Sequence, residues 1–257
     1  MNISFVGAGN VALSLASAFR MARHRIVHIY APTREHAVYL AETTGASAVS
    51  SVAEVAHSSD FVILAVPDAS IENVADKLSQ TSAIVLHISG STGLEALKSC
   101  GKNCGVLYPL QTFSKSCLID DFSAIPVLVE SESDAILQKI ISLARTISKQ
   151  VFTTDLSQRR SLHIAAVFAC NFVNLLLTEA FDICKESQVD PHLLEALVNE
   201  TVRKAFASGN PSEVQTGPAR RGDRLTVEKH LLSLNYEQKK IYSALTESIF
   251  SKYKVKI

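Results

Sequence analysis

One stretch constrains this chain more than any other. Ile3-Ser-Phe-Val6 runs into Gly7-Ala8-Gly9-Asn10-Val11-Ala12 and then into Leu13-Ser-Leu-Ala-Ser-Ala-Phe19. The apolar run reads as a buried strand, and the segment after Ala12 has helical spacing. A glycine turn between strand and helix is the context that gives Gly-x-Gly-x-x-Ala a chemical meaning. Gly7 permits a sharp turn, Gly9 lets backbone N–H groups approach a pyrophosphate, and Ala12 lets the helix lie close to the strand. The helix N-terminus adds unpaired N–H donors and a partial positive charge. Gly7 to Val11 are therefore expected to bind the diphosphate of a dinucleotide. The alternative is an ordinary structural turn.

The chain then alternates short apolar runs with helical segments. Strands are expected at Arg25–Ala31, Ala46–Val49, Asp60–Val66, Ser82–Ser89, Gly105–Tyr108, Ala124–Glu130 and Gln150–Thr153. Helices are expected between them, including Gly93–Ser99 and Ser133–Ile147. Such alternation predicts βαβ units and a doubly wound, mostly parallel Rossmann sheet. From about Leu156 only helical periodicity remains, over 157–188, 190–208 and 223–252. The expected division is a dinucleotide domain over 1–155 and an all-helical substrate and dimerisation domain over 156–257.

Composition removes several function classes. Lys+Arg and Asp+Glu are both 25, so the basic footprint of a nucleic-acid binder is missing. The five cysteines (100, 104, 117, 170 and 184) have no zinc-ligand spacing, so no metal site is expected. Reduced thiols suit a cytoplasmic protein. A strand beginning at residue 2 leaves no room for a signal peptide. The longest apolar runs, Phe61–Val66 and Ile164–Cys170, are too short to span a bilayer, so no membrane partner is expected.

The dinucleotide can be narrowed. Sheets that prefer NAD place an Asp or Glu at the end of the second strand, against the ribose 2′-OH. Here that place is Ala31, followed by Pro32-Thr33-Arg34. Thr33 can donate a hydrogen bond to a 2′-phosphate and Arg34 can pair with its charge, with His36 nearby. NADP is expected over NAD. A solvated Arg34 on the first turn of a helix is the plainer alternative.

Ligands of doubly wound sheets sit outside the carboxyl ends of the strands. Ala65-Val66-Pro67-Asp68 falls there and would shape the wall beside the nicotinamide ribose. His87-Ile-Ser89-Gly90-Ser91-Thr92 and Tyr108-Pro-Leu-Gln-Thr-Phe-Ser114 also fall there, offering an imidazole, hydroxyls and amides. The alternative is a hydrogen-bonded core residue for His87 and a helix cap for Gly90-Ser-Thr. On the long helix His163, Asn171 and Asn174 interrupt an apolar surface, and a regular 100° step puts His163 and Asn174 on nearly one face. Imidazole suits proton donation to a carbonyl or imine; a satisfied network between helices is the alternative. Last, Thr216-Gly-Pro-Ala-Arg220-Arg221-Gly-Asp223 is a loop able to bind a carboxylate, with Asp223 capping the next helix.

In that order, Gly-Ala-Gly-Asn-Val-Ala, Ala-Val-Pro-Asp, His-Ile-Ser-Gly-Ser, Tyr-Pro-Leu-Gln-Thr-Phe and Thr-Gly-Pro-Ala-Arg-Arg-Gly-Asp resemble a bacterial Rossmann-like family. Its members are labelled NADP oxidoreductases, and their C-terminal half is catalogued as a domain of unknown function. More distantly the chain is similar to the pyrroline-5-carboxylate reductase and 6-phosphogluconate dehydrogenase superfamily, whose helical domain commonly dimerises and closes the active site. Two departures stand out. Ala169-Cys-Asn-Phe replaces the reductases' Ser-Gly-Pro-Ala, and Thr216-Gly-Pro-Ala-Arg-Arg replaces their Pro-Gly-Gly-Thr-Thr. The Lys-x-x-x-Asn pair of the β-hydroxyacid dehydrogenases is absent too. The resemblance implies fold and cofactor, not substrate.

The expectation is an NADP-dependent oxidoreductase acting on a small polar C=O or C=N compound. His163, Asn171, Asn174, His87 and Ser89 are the catalytic candidates, and Thr216, Arg220 and Arg221 the substrate contacts. A homodimer through the helical domain is expected, because so apolar an exposed helix would be a liability. The competing reading is a dinucleotide sensor without turnover.

Overall fold

The computed structural model describes residues 1–114, 119 and 121–255; Cys117 lies outside them. Contacts divide the chain into two compact units, Met1–Asn171 and Phe172–Ile257. This boundary lies beyond the 155/156 change of periodicity, because the first helix after it is hydrogen-bonded to the sheet unit.

The first unit is built from β1 (Asn2–Val6), α1 (Asn10–Met21), β2 (Arg25–Tyr30), α2 (Arg34–Thr44), β3 (Ser47–Ala48), α3 (Val52–Val55), β4 (Phe61–Leu64) and α4 (Ile71–Asp76). It continues with β5 (Ile84–His87), β6 (Cys104–Pro109), β7 (Val127–Glu130), α5 (Asp134–Ala144), β8 (Val151–Thr153) and α6 (Leu156–Ala166). Among the described residues one sheet runs β3-β2-β1-β4-β5-β6-β7-β8. Its strands pair in parallel except β6 with β7. Strand order reverses between β1 and β4, where Val6 lies opposite Leu64, and that reversal opens a crevice at the carboxyl ends.

β4 and β5 are buried at every residue, which explains their unbroken apolar sequence. Alternate residues feed opposite faces, so Phe5 joins Leu15, Phe19 and Ile63 while its neighbour Val6 joins Val62, Leu64 and Leu97.

Several local expectations shift. The segment after Gly93 is a 3₁₀ helix, Leu94–Cys100, rather than an α-helix. The expected 223–252 helix is two, α10 (Arg224–Ser233) and α11 (Tyr236–Tyr253), preceded by α9 (Pro218–Arg221). The break falls at Asn235, whose side chain and that of Gln238 form a capping box that starts α11 afresh. The 190–208 segment opens with a 3₁₀ turn, Pro191–Leu194, before α8 (Glu195–Ala207).

The long helix runs from Leu156 to Glu186, 31 residues, as α6, a π segment Val167–Asn171 and α7 (Phe172–Glu186). Asn171 does not interrupt it, so the run Ile164–Cys170, too short by itself, becomes part of a helix long and apolar enough to cross a membrane. Its most apolar window has a mean hydropathy of 1.7 and is unburied in the single chain. In the second unit Ala219, Val227, Gln238 and Thr246 are buried, whereas Phe181, Leu193, Leu197, Phe206 and Leu232 are exposed.

Candidate functional site

The crevice at the strand reversal holds a cavity of about 610 Å³. Gly7, Ala8, Gly9, Thr33, Val66 and Pro67 line it, all of them candidates from the sequence. Asn10, Val11, Arg34 and Asp68 lie outside the lining. A second cavity of about 550 Å³, lined by Met1, Asp60 and Ser82 among others, opens at the amino ends of the strands, the end that such sheets leave unused.

The two glycines do different work. Gly7 has φ +108°, and a Cβ there would lie 2.0 Å from the Ala65 carbonyl oxygen. Its N–H donates to the Tyr30 carbonyl at 2.7 Å, so the ends of β1, β2 and β4 meet on it. A Cβ on Gly9, by contrast, would meet nothing within 4 Å. Gly9 is the N-cap of α1, and no side chain caps the first N–H groups of that helix. A diphosphate fits such a place by charge and by volume. The Asn10 amide donates to the Phe113 carbonyl at 3.1 Å, which ties the loop after β6 to this turn.

Beyond the end of β2, Thr33 precedes α2 without making a side-chain cap, and Arg34 is exposed on its first turn. His36 lines the cavity, and so do Asn73 and Lys77. Sequence reasoning missed Asn73 and Lys77, although a helix beginning just beyond Pro67 had to pass the cavity mouth.

A second cluster stands at the ends of β5 and β6. Asp68 Oδ2 accepts from Ser89 Oγ at 2.7 Å and from Ser91 Oγ at 2.6 Å. Ser89 Oγ accepts in turn from the N–H groups of Ser91 and Thr92. Burial works against the Asp68 charge, but hydrogen bonds from Ser91, Ser89 and Thr92 outweigh it and hold the carboxyl below its ordinary value.

His87 is a correction. It is sealed inside β5 at 0% exposure, and its Nδ1 accepts from the Ser89 N–H at 3.2 Å. Burial first, and the Arg159 charge second, pull its pKa down to about 4. An imidazole so enclosed is neutral near pH 7 and cannot hand a proton to a ligand. Its partner is the backbone of the loop it supports.

Arg159 was not foreseen. Its side chain is fully buried, with Nε donating to the Ser89 carbonyl at 3.2 Å and Nη2 to the Thr92 carbonyl at 2.6 Å. Nη1 pairs with the Glu130 carboxylate at the end of β7. Arg160 Nε adds a bond to the Ser91 carbonyl at 2.7 Å. The Asp155–Gln158 capping box fixes where α6 starts, and so places both arginines against the 89–92 loop. One turn later, His163 Nδ1 lies 2.9 Å from the Tyr108 hydroxyl.

Asn171 and Asn174 are exposed. The shared face expected for His163 and Asn174 assumed a regular 100° step. The π segment between them makes wider i→i+5 turns and breaks that phase. In the second unit Asp223 caps α10, accepting from Thr226 N–H at 3.1 Å, as its position suggested. Thr216 is exposed just before α9, and Arg220 and Arg221 are exposed on that short helix rather than on a loop, with the Arg220 guanidinium 4.8 Å from the Tyr253 ring centre.

Comparison with known proteins fits this geometry. Residues 2–93 match the family described as NADP oxidoreductase coenzyme F420-dependent, and residues 125–249 match a domain of unknown function, DUF2520. No curated protein sequence matches. Among solved structures, a Bacteroides fragilis protein assigned as an NADP oxidoreductase is 33% identical over 97% of this chain and 98% of its own, with a TM-score of 0.89. An imine reductase from Myxococcus stipitatus in complex with NADP⁺ is 14% identical over 99% of this chain and 93% of its own, at TM-score 0.68. A pyrroline-5-carboxylate reductase from Coxiella burnetii is 15% identical over 98% and 97%, at TM-score 0.60. The last two establish likeness of fold alone. The chain belongs to the family of NAD(P)-dependent oxidoreductases in which a Rossmann-like NADP oxidoreductase domain is followed by a DUF2520 domain.

Proposed function

We propose that the protein moves hydride between the nicotinamide of NADP and a small polar compound bearing a C=O or C=N bond. The observation that carries this reading is the 610 Å³ cavity floored by the Gly7–Gly9 turn and the uncapped start of α1. Backbone N–H groups of Gly9, Asn10 and Val11 would bind the diphosphate. Thr33 and Arg34, helped by His36, would hold the 2′-phosphate. Val66 and Pro67 shape the wall toward the ribose of the nicotinamide, and Asp68, through Ser89 and Ser91, keeps the next loop in place. When bound, NADPH supplies the hydride. The chain's own contribution is to hold donor and acceptor in contact, to exclude water and to give a proton to the acceptor heteroatom.

His163 is the proton donor in this reading. Thr216, Arg220 and Arg221 would bind an anionic group of the substrate. The exposed apolar helices support a homodimer formed through the helical unit. The four described cysteines, none of them in a disulfide, suit the cytoplasm.

Two measurements test the reading. NADPH oxidation is followed against imines, 2-ketoacids and a deazaflavin, and at least one compound should turn over. Tight NADP binding with no turnover of any of them would favour the sensor instead. Arg34→Ala should weaken NADP far more than NAD, and equal losses would refute the 2′-phosphate assignment.

A further inference from the structure

We propose that Tyr108 and His163 donate the proton as one hydrogen-bonded pair, and that Gly90 is a glycine because the pair occupies the space above it. This rests on the oxidoreductase reading and extends it to Tyr108, a residue without a catalytic role in that reading. Three elements converge here. Tyr108 comes from β6, His163 from α6 and Gly90 from the loop after β5. The hydroxyl and Nδ1 are 2.9 Å apart, and the two rings meet edge to face with centres 6.0 Å apart.

A Cβ on Gly90 would lie 2.7 Å from His163 Nδ1 and 2.9 Å from Tyr108 Cζ. Gly90 has no positive φ, so backbone freedom is not what requires glycine there. What requires it is the pair itself. Arg159, one turn before His163, pins α6 to the carbonyls of Ser89 and Thr92, so helix and loop cannot drift apart.

Counting protons shows what the pair can do. A neutral tyrosine and a neutral histidine carry two exchangeable protons, of which one lies between oxygen and Nδ1. If Tyr108 donates inward, His163 keeps an outward N–H at Nε2. If Nδ1–H donates inward, Tyr108 keeps an outward O–H. In both tautomers one proton remains to give, and both residues are half-buried, open enough to meet a ligand. Burial raises the Tyr108 pKa, which keeps the phenol protonated.

The step balances. Hydride from NADPH forms the new C–H bond, and the C=O or C=N π pair moves onto the heteroatom. That atom takes the outward proton, forming O–H or N–H, while the other proton can shift along the hydrogen bond. The pair then regains a proton from water. In the neighbouring cluster His87 is sealed, Asp68 is held deprotonated and the Ser89 hydroxyl is committed to Asp68.

The experiment pairs kinetics with ¹⁵N NMR of the imidazole in the full-length protein. Tyr108→Phe keeps the ring and should fold. It should lower kcat by roughly 10²- to 10⁴-fold while NADPH affinity is unchanged, and it should shift the His163 Nδ1 resonance. His163→Gln should lose as much, and the double variant no more than either alone. Gly90→Ala should move the same resonance by forcing the pair apart. Unchanged kcat in Tyr108→Phe, or single losses that multiply in the double variant, would overturn the pair and leave the oxidoreductase reading standing. NADPH binding without turnover by the wild-type protein would sink both.

Discussion

At the scale of single residues, environment decides what a side chain can do. His87 sits at the strand end where ligands bind, yet burial makes it a neutral structural group with a pKa near 4 against an ordinary 6.5. The sign of the resulting pH dependence follows. Between pH 6.5 and 4 the unfolded chain binds a proton there that the folded chain refuses, so stability falls as pH drops through that window. The loss is about 3 kcal/mol at most. Urea unfolding across that range should show the slope, and His87→Leu should flatten it; an identical slope in the variant would contradict the assignment. The two glycines of the turn separate in the same way. Gly7→Ala forces a Cβ onto the Ala65 carbonyl at a positive φ and should cost at least about 2 kcal/mol. Gly9→Ala meets open space, so it should change stability by less than about 1 kcal/mol yet abolish most NADP affinity by calorimetry. Comparable destabilisation by the two would mean that Gly9 is structural as well.

At the scale of elements, α6 is held by a buried cation. In sequence, Gln158-Arg159-Arg160-Ser161 looks like a solvated helix face. In the fold, Arg159 satisfies two loop carbonyls and the Glu130 carboxylate from a fully buried position. Arg159→Met would leave Glu130 and both carbonyls without that partner, at a cost of about 3–5 kcal/mol. Denaturant unfolding measures it, and a loss under about 1 kcal/mol would show that the loop finds other donors. This part of the site was illegible because Arg159 and Ser89 are 70 residues apart, and no local pattern links them. The break before α11 was legible, since Asn235-x-x-Gln238 is a capping box. Helical periodicity on both sides of it hid the signal.

At the scale of the whole molecule, apolar surface is the unfinished business. Phe206 is 84% exposed, Leu232 82% and Leu193 73%, more apolar side chain than a solitary helical unit keeps in water. The expected outcome is a solution mass twice that of the chain by light scattering, with a Tm that rises with protein concentration. Leu197→Glu and Phe206→Glu on α8 should shift the mass toward one chain. A wild-type mass of one chain at micromolar concentration would refute the dimer.

The sequence alone determined the features that rest on local physics. Strand and helix periods are set by backbone geometry, so the βα alternation and the later turn to pure helix could be read directly. The Gly7-x-Gly9 turn could be read because its constraint on φ and on side-chain volume acts between neighbours in the chain. Only the tertiary structure decided which polar residues lie buried and which meet. It sealed His87 within the sheet and drew Arg159 into the core. It also set Tyr108 against His163, 55 residues away, over a glycine with no room for a methyl group. Burial and long-range contact are properties of the packed chain, and no local pattern in the sequence carries them.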